Sequence, residues 1–323
     1  MIRFITTSGF PDTVESAVKR RMGADMPDCT STTYEKLFRA TTTLNAVHVF
    51  TDIERLSDAE LARAAQLYRA LRDAGLTCLN DPARVMARYQ LLTALKQAGI
   101  NPFSAYPADG LPKPDRFPVF VRGGGDHNGA ISDLLHDQAQ LDGYLQELRQ
   151  GGRPLRGLLV IEYAAEPVAP GFWRRYSTYR VGAKFYVHGA SVARHWVVKR
   201  MDEGPGHRYF EEELEIVTAN RHEESVVRAF DLAGIEWGRA DHGIYEGRHV
   251  IYEINTNPQI EMRQKQSPVR ELSRRVCTAH MAALLREIDK GDGSNVTFHL
   301  RGTPKPWYRK LRRRLGPRLG AQR

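Results

Sequence analysis

Two hydrophobic periods divide the chain into predicted strands and helices. Short runs of β-branched and apolar residues predict strands at Ile2–Thr6, residues 46–51 and Leu158–Glu162. Apolar residues three or four positions apart predict helices that begin at Ser57 and Asp81, and a last helix over Pro268–Ile288. Ser57 and Glu60 have the spacing of a capping box, and Pro82 suits the first turn of the second helix. This order predicts a small α/β unit in residues 1–80.

The rest of the chain contains a proline-rich connection, a glycine-rich loop and two hairpins. Five prolines in residues 102–118 predict a surface connection, and a strand at 117–122 runs directly into the loop GGGDHNG. Alternating residues predict a hairpin at 178–200 that turns at residues 188–189, and a second at 237–254 that turns at residues 246–247. A helix at 222–233 separates the two hairpins.

Composition limits the class of protein. The 323 residues are 41% hydrophobic and 26% charged, which is typical of a globular chain of about two domains. Cys29, Cys78 and Cys277 lie far apart, so the spacing disfavours both a zinc site and a disulfide framework. Without a long apolar run or a secretory signal, we expect a soluble, cytoplasmic protein.

The net charge of +9 belongs to one end of the chain. Residues 301–323 hold nine basic residues and no acidic one, so residues 1–300 carry 38 basic and 38 acidic side chains. A general nucleic-acid-binding face is therefore not indicated. Two interpretations of the tail remain open: a solvated terminus, or a segment that lies on an anionic membrane surface or contacts nucleic acid.

A candidate metal site lies on the second hairpin. Glu253 and Asn255 are two positions apart on a predicted strand, so both side chains project from one face, while Tyr252 and Ile254 are expected to point the other way. Asp241 on the preceding strand is expected close to Glu253. Carboxylate and amide oxygens are ligands that Mg²⁺ accepts, although Glu-x-Asn near a strand end is by itself also typical of a solvated terminus.

The order of these segments resembles the ATP-grasp superfamily over residues 81–267. The segment NDPARVMARYQLLTALKQAGI resembles the helix that precedes the central lid of that family, and FPVFVR with GGGDHNG resembles its strand and phosphate-covering loop. The segment LLVIEY resembles the strand that meets adenine. The segment AGIEWGRADHGIYEGRHVIYEINTNPQIE resembles the final metal-binding hairpin. Among its members, the chain is similar to carboxylate–amine ligases such as D-alanine–D-alanine ligase, glutathione synthetase and ribosomal-protein glutamate ligase.

The resemblance implies an ATP-grasp fold of the α/β (α+β) class, with a small N-terminal domain (1–80), a central lid subdomain (81–160), a C-terminal antiparallel-sheet subdomain (161–300) and the basic tail (301–323). It implies ATP and Mg²⁺ (or Mn²⁺) as cofactors. The implied residues are Arg180 and Arg200 for catalysis, Asp241, Glu253 and Asn255 for the metal, and, for the nucleotide, Arg88, Arg122, Gly124, Gly125, Glu162, Tyr163 and Glu166.

The implied reaction is activation of a carboxylate as an acylphosphate, which an amine or a similar nucleophile then attacks. Its substrates would be a small-molecule or peptide carboxylate and amine. Two alternatives remain open: a nucleotide-binding regulatory protein without turnover, and a kinase-like member that phosphorylates a hydroxyl. The chain departs from the family by placing arginine at positions 88 and 122, where lysine is usual, and arginine is a permanently charged, bidentate phosphate ligand.

The basic aromatic run Trp173, Arg174, Arg175 and Tyr176 allows two interpretations. It could line the pocket of an acidic substrate, or it could form a packed surface loop.

Overall fold

The computed structural model describes residues 1–9, 26–126, 129–199, 201, 207–258 and 267–301. Within these ranges, three main sheets with flanking helices form a mixed α/β architecture, which confirms the predicted fold class.

The N-terminal unit contains a four-stranded parallel sheet. Its strand order is β2-β1-β4-β5, with β1 in Ile2–Thr6, β2 in Cys29–Thr33, β4 in Val47–Phe50 and β5 in Cys78–Leu79. Helix α1 (Tyr34–Leu37) and strand β3 (Thr42–Leu44) connect β2 to β4. The strand predicted at 46–51 is confirmed as β4. The sequence gives no strand signal at Cys29–Thr33, because the segment CTSTT is mostly polar, yet this segment pairs with β1 as a parallel strand.

The two longer helices of the first hundred residues test the predicted helix starts at Ser57 and Asp81. Helix α2 (Asp58–Asp73) has the predicted capping box, in which the Ser57 amide donates to Glu60 Oε2 at 3.0 Å. The prediction that a helix begins at Asp81 is wrong. Its carboxylate accepts only the Ala83 amide, at 2.9 Å, in a turn, and α3 begins seven residues later, at Arg88–Gln97.

The lid is a three-stranded antiparallel sheet with one helix. Its order is β6-β8-β7, with β6 in Ala105–Pro107, β7 in Val119–Gly123 and β8 in Leu158–Glu162. Helix α4 (Gln138–Gln150) buries Leu141 and Leu145 against this sheet. Leu158 and Val160 of β8 pack in the cluster that contains α4, whereas Leu159 and Ile161 pack in a second apolar cluster. All five residues of β8 are buried.

The C-terminal sheet is antiparallel, in the order β11-β10-β12-β13 with the short strand β9 (Pro167–Ala169) beside β10. Its long strands are β10 (Phe172–Val181), β11 (Lys184–Ala193), β12 (Trp237–Tyr245) and β13 (Arg248–Asn255). The remaining helices are α5 (His207–Ala219), α6 (Glu224–Ala233) and α7 (Pro268–Ile288). Helices α3 and α6 pack on β13, whereas α5 and α7 pack on β11.

The two predicted hairpins form, but one turn lies elsewhere. The second hairpin turns at Glu246 and Gly247, as predicted, and both residues have positive φ. The first turns at Gly182, whose φ is 62°, and not at residues 188–189. In that region the pairing moves from Ser177–Gly189 to Thr178–Val187, so His188 is the extra residue of a β-bulge. Glycine is typical of bulges as well as of turns, and the sequence alone does not distinguish them.

One core joins the N-terminal sheet to the C-terminal sheet. Phe4 on β1 packs against Trp237 on β12, with ring centroids 5.0 Å apart, and both side chains are fully buried. The end of the chain also returns to the N-terminal unit, because β14 (Asn295–Thr297) pairs with β3 and Phe298 packs in the core beside helix α2. The predicted C-terminal subdomain thus contributes its last residues to the N-terminal core. Within the described residues, no helix combines the length and the apolar content that a bilayer span requires.

Buried histidines should make the stability of this fold depend on pH. Burial lowers the pKa of His48 from 6.5 to about 4, and it lowers the pKa values of His188 and His242 to about 3. Between pH 6.5 and 4 the unfolded chain therefore binds protons that the native chain does not, so the free energy of unfolding falls as the pH falls. In urea unfolding, His48→Gln should reduce this slope by about 1.4 kcal/mol per pH unit.

The matched control is His136→Gln, since His136 is exposed on the lid. Its slope should equal that of the wild type, and an equal slope for His48→Gln would contradict the assignment of this pH dependence to buried histidine.

Candidate functional site

A cleft of about 940 Å³ lies between the lid sheet and the C-terminal sheet. Strands β7 and β8 supply one wall, and β10, β12 and β13 supply the other. Residues 196–199, here called the roof segment, also line it. The cleft has an aromatic part and a charged part, which use different residues.

The aromatic part is a set of rings in mutual contact. Trp196 of the roof segment packs against Phe120 on β7, with centroids 4.9 Å apart, and against the edge of Tyr163 at 5.6 Å. Trp173 on β10 donates its indole N–H to the Tyr163 hydroxyl at 2.8 Å. Such a set of fixed rings suits the stacking of a planar aromatic group.

Tyr252 joins this aromatic part, although simple alternation along β13 predicts that it points away from Glu253. That expectation is wrong because the strand contains a bulge. Asp241 pairs with Glu253, but the next residue, His242, pairs with Ile251, which leaves Tyr252 as the extra residue. Both Tyr252 and Glu253 consequently line the cleft. The Tyr252 hydroxyl donates to the carbonyl of Ala164 at 3.2 Å and so ties β13 to the end of β8.

In the charged part, two arginines converge on one carboxylate oxygen. Arg88 and Arg122 each donate to Glu253 Oε2, at 2.7 and 2.8 Å. Both arginines are more than nine-tenths buried, and among the described residues their Nε atoms have no hydrogen-bond partner. The structure therefore brings together three of the predicted residues, from α3, β7 and β13.

Asp241 is also surrounded by cations. Arg239, two positions before it on β12, donates to both of its oxygens, at 2.9 and 3.1 Å, while Arg175 on β10 donates to Oδ2 at 3.2 Å. Ser177 donates to Oδ1 at 3.0 Å. Burial by itself would raise the pKa of Asp241, but the guanidinium groups of Arg175 and Arg239 outweigh it and hold that pKa below its ordinary value. Asp241 is therefore an anion at neutral pH.

Asn255 is buried at the end of β13, with its amide oxygen accepting the Asn257 amide at 2.8 Å. Asn257 in turn donates to Asp52 of the N-terminal unit at 2.8 Å. This chain of contacts fixes the position of Asn255.

The donor set fits a hard divalent cation. Asp241 and Glu253 are direct cross-strand partners on the cleft wall, and Asn255 follows Glu253 on the same strand. Their oxygens are the donors that Mg²⁺ and Mn²⁺ accept. Within the described ranges, no group of three or more His, Cys, Asp and Glu side chains is arranged for a metal.

The glycine-rich loop is held at its base by Arg88. The Arg88 Nη1 atom donates to the carbonyls of Gly123 and Gly124, at 2.7 and 2.9 Å, and the Gly124 amide donates to Gly157 at 2.8 Å. A Cβ atom on Gly125 would lie 3.1 Å from the Glu54 carbonyl, so the loop also passes close to the N-terminal unit. Residues 127–128 lie outside the described residues.

Glu162 and Tyr163 meet the cleft in different ways. The buried carboxylate of Glu162 accepts the Ser104 amide and the Tyr106 hydroxyl, each at 2.8 Å, and pairs with Arg116 at 3.3 Å. Its oxygens are thus engaged in holding the connection between α3 and β7. Tyr163 presents its ring to the aromatic part of the cleft.

Six of the predicted residues that the structure describes are not part of the cleft lining: Arg88, Gly124, Gly125, Glu166, Arg180 and Asn255. Two of them, Arg180 and Glu166, are bound to residues outside the cleft. Arg180 donates to Asp231 on α6 at 2.7 Å and to the Gly182 carbonyl at 2.9 Å, near the hairpin turn. Glu166 is exposed and accepts the Glu246 amide at 3.0 Å. Arg200 lies outside the described residues, but its neighbour Lys199 lines the cleft.

Sequence reasoning missed Arg239, and it left the role of Trp173 and Arg175 open. These two residues and Ser177 alternate along β10 and lie on its cleft side. A two-residue period through the basic aromatic run was the available signal. This period did not identify the cleft residues, because the pairing with β12 decides which face of β10 points into the cleft.

The comparisons with known proteins bear on the fold alone. No protein-family model matches the sequence, and no curated protein matches it. Among solved structures, the ATP-grasp ligase PsnB complexed with minimal precursor aligns with a TM-score of 0.51 and 10% identity, over 88% of this chain and 98% of that chain. D-alanine–D-alanine ligase from Bacillus anthracis complexed with ATP aligns with a TM-score of 0.47 and 11% identity, over 88% and 97%. The similarity to PsnB confirms the predicted ATP-grasp fold.

Gly243 makes room for Tyr252 in the cleft wall. A Cβ atom on Gly243 would lie 2.2 Å from the Tyr252 hydroxyl oxygen and 2.9 to 3.0 Å from ring carbons. We therefore expect Gly243→Ala to displace the Tyr252 ring and to lower the free energy of unfolding by about 1–3 kcal/mol. Chemical denaturation measures this loss.

The control for Gly243→Ala is Gly143→Ala in the exposed face of α4, where a Cβ atom meets nothing within 4 Å. That change should stabilise the chain by about 0.5–1 kcal/mol. In the background Tyr252→Ala, Gly243→Ala should cost much less, since the clash is gone. Full additivity of the two changes would contradict the contact.

Proposed function

We propose that the chain is an ATP- and Mg²⁺-dependent ligase that activates a carboxylate as an acylphosphate for attack by an amine or a similar nucleophile. The observation that carries this proposal is the cleft itself, in which an aromatic part adjoins two opposed carboxylates surrounded by guanidinium groups. It lies between the lid and the C-terminal sheet of an ATP-grasp fold. PsnB, which shares that fold, is a ligase, and this favours the same class of reaction.

The aromatic part would bind the nucleotide base. Trp196 and Tyr163 offer ring faces and edges, and the short strand β8 ends beside them. Toward the charged part, Arg122 and Lys199 line the cleft where the phosphates would follow. Guanidinium groups hold phosphate oxygens through charge-assisted hydrogen bonds, and their charge offsets the negative charge of the nucleotide.

Asp241, Glu253 and Asn255 would hold Mg²⁺ or Mn²⁺. A bound divalent cation would neutralise charge on the phosphate oxygens during transfer. For these carboxylates to accept a cation, Arg88 and Arg122 must share or leave Glu253, and phosphates are the natural new partners for both. Arginine suits this exchange, because it stays charged and has several donors.

The proposed reaction requires no protein nucleophile. A substrate carboxylate oxygen attacks the γ-phosphorus, the bond to the β,γ-bridging oxygen breaks, and ADP leaves. The amine nitrogen then attacks the acyl carbon, loses a proton and expels inorganic phosphate. Arg239, which is fixed beside Asp241 by two hydrogen bonds, would stabilise the negative charge that develops on the reacting oxygens.

The proposed substrates are a small-molecule or peptide carboxylate and an amine, in the cytoplasm. For the basic tail we propose contact with an anionic membrane surface or nucleic acid, and residues 302–323 lie outside the described residues. Arg180 and Glu166 would support the sheet near its turns rather than contact ligand, given their placement.

One observation favours a second candidate, a nucleotide-binding protein without turnover. Each of the two carboxylates already contacts two arginines, and permanent pairing would deny both to a cation. The kinase-like alternative would use the same nucleotide site with a hydroxyl acceptor.

Nucleotide binding should stabilise the native chain and depend on Glu253. ATP at 100 times its dissociation constant, with Mg²⁺, should raise the free energy of unfolding by about 2.7 kcal/mol. Glu253→Gln removes the negative charge that faces the cation and should reduce the Mg²⁺-dependent part of this stabilisation. Thermal unfolding with ATP, with and without Mg²⁺, measures both quantities.

Glu215→Gln is the matched control, because Glu215 is an exposed residue of α5. It should respond to Mg²⁺ and ATP as the wild type does. Absence of any nucleotide-dependent shift in the wild type would reject the nucleotide site and with it the ligase.

Turnover separates the ligase from both alternatives. A ligase should release ADP only when a carboxylate is present, and hydroxylamine should trap the acyl group as a hydroxamate. ADP release that requires a hydroxyl compound would indicate the kinase-like activity. Binding of ATP without any release of ADP across a screen of carboxylates would favour the protein without turnover.

A further inference from the structure

Arg175 connects the candidate cation ligand Asp241 to the roof segment. Its Nη1 atom donates to Asp241 Oδ2 at 3.2 Å, and its Nη2 atom donates to the carbonyl of Lys199 at 3.1 Å. Its Nε atom is buried and has no hydrogen-bond partner in the part of the chain that the structure describes. A single side chain on β10 therefore spans from the wall of the cleft to its roof.

Of the two arginines on Asp241, Arg175 makes the contact that is easier to give up. Arg239 lies on the same strand as Asp241 and donates to both carboxylate oxygens, so its removal would break two hydrogen bonds. Arg175 makes one longer contact to one oxygen and has the more exposed side chain, at 20% against 14%. A cation that approaches Asp241 from the cleft would thus displace Arg175 from Oδ2 and leave Arg239 in place.

The balance of charge opposes a cation that arrives alone. The guanidinium groups of Arg88, Arg122, Arg175 and Arg239 surround the two carboxylates of Asp241 and Glu253, which leaves two net positive charges. A divalent cation would double this excess in a partly buried site, where screening by water is weak. Nucleotide phosphates would reverse it, because they bring several negative charges.

We propose that Arg175 is a positioning residue that covers Asp241 Oδ2 and thereby excludes a divalent cation until nucleotide phosphates enter with it. The dependence on nucleotide rests on the proposed function, whereas the cover on Asp241 does not. When the phosphates are present, Nη1 leaves Asp241 for an anionic oxygen while Nη2 keeps the roof segment in place. Cation and nucleotide then bind in a coupled manner rather than independently.

The test is the binding of Mn²⁺ to the full chain without nucleotide. The electron paramagnetic resonance signal of free Mn²⁺ measures how much Mn²⁺ remains unbound. The wild type should bind weakly, and Arg175→Gln should bind at least about tenfold more tightly, since Asp241 Oδ2 is then uncovered. Arg174→Gln is the matched control. It removes an equal charge one residue away, from a side chain that also lines the cleft but pairs with Glu212. Its affinity should stay within about twofold of the wild type.

A second variant tests whether the tighter binding of Mn²⁺ depends on Asp241. In Arg175→Gln/Asp241→Asn the tighter binding should disappear, and if it persists, Mn²⁺ binds elsewhere and the proposal is wrong. Equal gains in Arg174→Gln and Arg175→Gln would also overturn it, because they would reflect overall charge. No gain in Arg175→Gln would overturn it as well, provided that circular dichroism shows that the variant is folded.

The nucleotide dependence is measured with a non-hydrolysable ATP analogue. With the analogue, the wild type should bind Mn²⁺ far more tightly, and its difference from Arg175→Gln should shrink to within about twofold. An unchanged difference would overturn the coupling to nucleotide. Failure of the analogue to change the unfolding of any variant would reject the proposed function, and the measurements without nucleotide would still decide whether Arg175 covers Asp241.

Discussion

The carboxylate of Glu253 is the point at which three parts of the fold meet. One of its oxygens accepts a hydrogen bond from Arg88 at the start of α3 and another from Arg122 on the lid strand β7. A buried charge is costly unless it is paired and hydrogen-bonded, so none of the three residues is stable in this place without the others. The position of the lid relative to the C-terminal sheet therefore depends on electrostatic pairing as well as on apolar packing.

This constraint explains several features around it. The bulge at Tyr252 lets a bulky ring and a carboxylate leave β13 on the same side, and Gly243 provides the space that the ring occupies. Arg88 also binds two carbonyls of the glycine-rich loop, so the base of that loop moves with Glu253. A ligand that drew Arg88 away from Glu253 would therefore also change the contacts between Arg88 and this loop.

The N-terminal unit contributes to the candidate site because it supports the β12–β13 hairpin. The Thr256 hydroxyl donates to Glu54, and the Asn257 amide group donates to Asp52, so the chain beyond β13 is tied to the loop after β4. The joint core of Phe4 and Trp237 holds the two sheets together beneath these polar contacts. The oxygen donors of the candidate cation site are thus held at the open end of the β12–β13 hairpin.

The sequence by itself determined the elements whose signals are local. The capping box at Ser57, the strand at Leu158–Glu162 and the turn at Glu246 and Gly247 depend on neighbouring residues, and each was predicted. The proximity of Asp241 and Glu253 was also predicted from the hairpin. Their direct pairing depends on the bulge, because the register set by the turn alone would place Asp241 opposite Tyr252. The family resemblance added the lid and its arginines, Arg88 and Arg122.

Tertiary structure alone decided the features that depend on pairing between distant strands. Arg175 points into the cleft because β10 pairs with β12, and no local pattern states which face of β10 is inward. The family resemblance assigned Arg180 to catalysis, yet Arg180 lies near the turn at Gly182, where it donates to Asp231 and to the Gly182 carbonyl. The bulge at Tyr252 was equally invisible. An extra residue in one strand is defined only by its partner, and the sequence of a single strand does not contain that information.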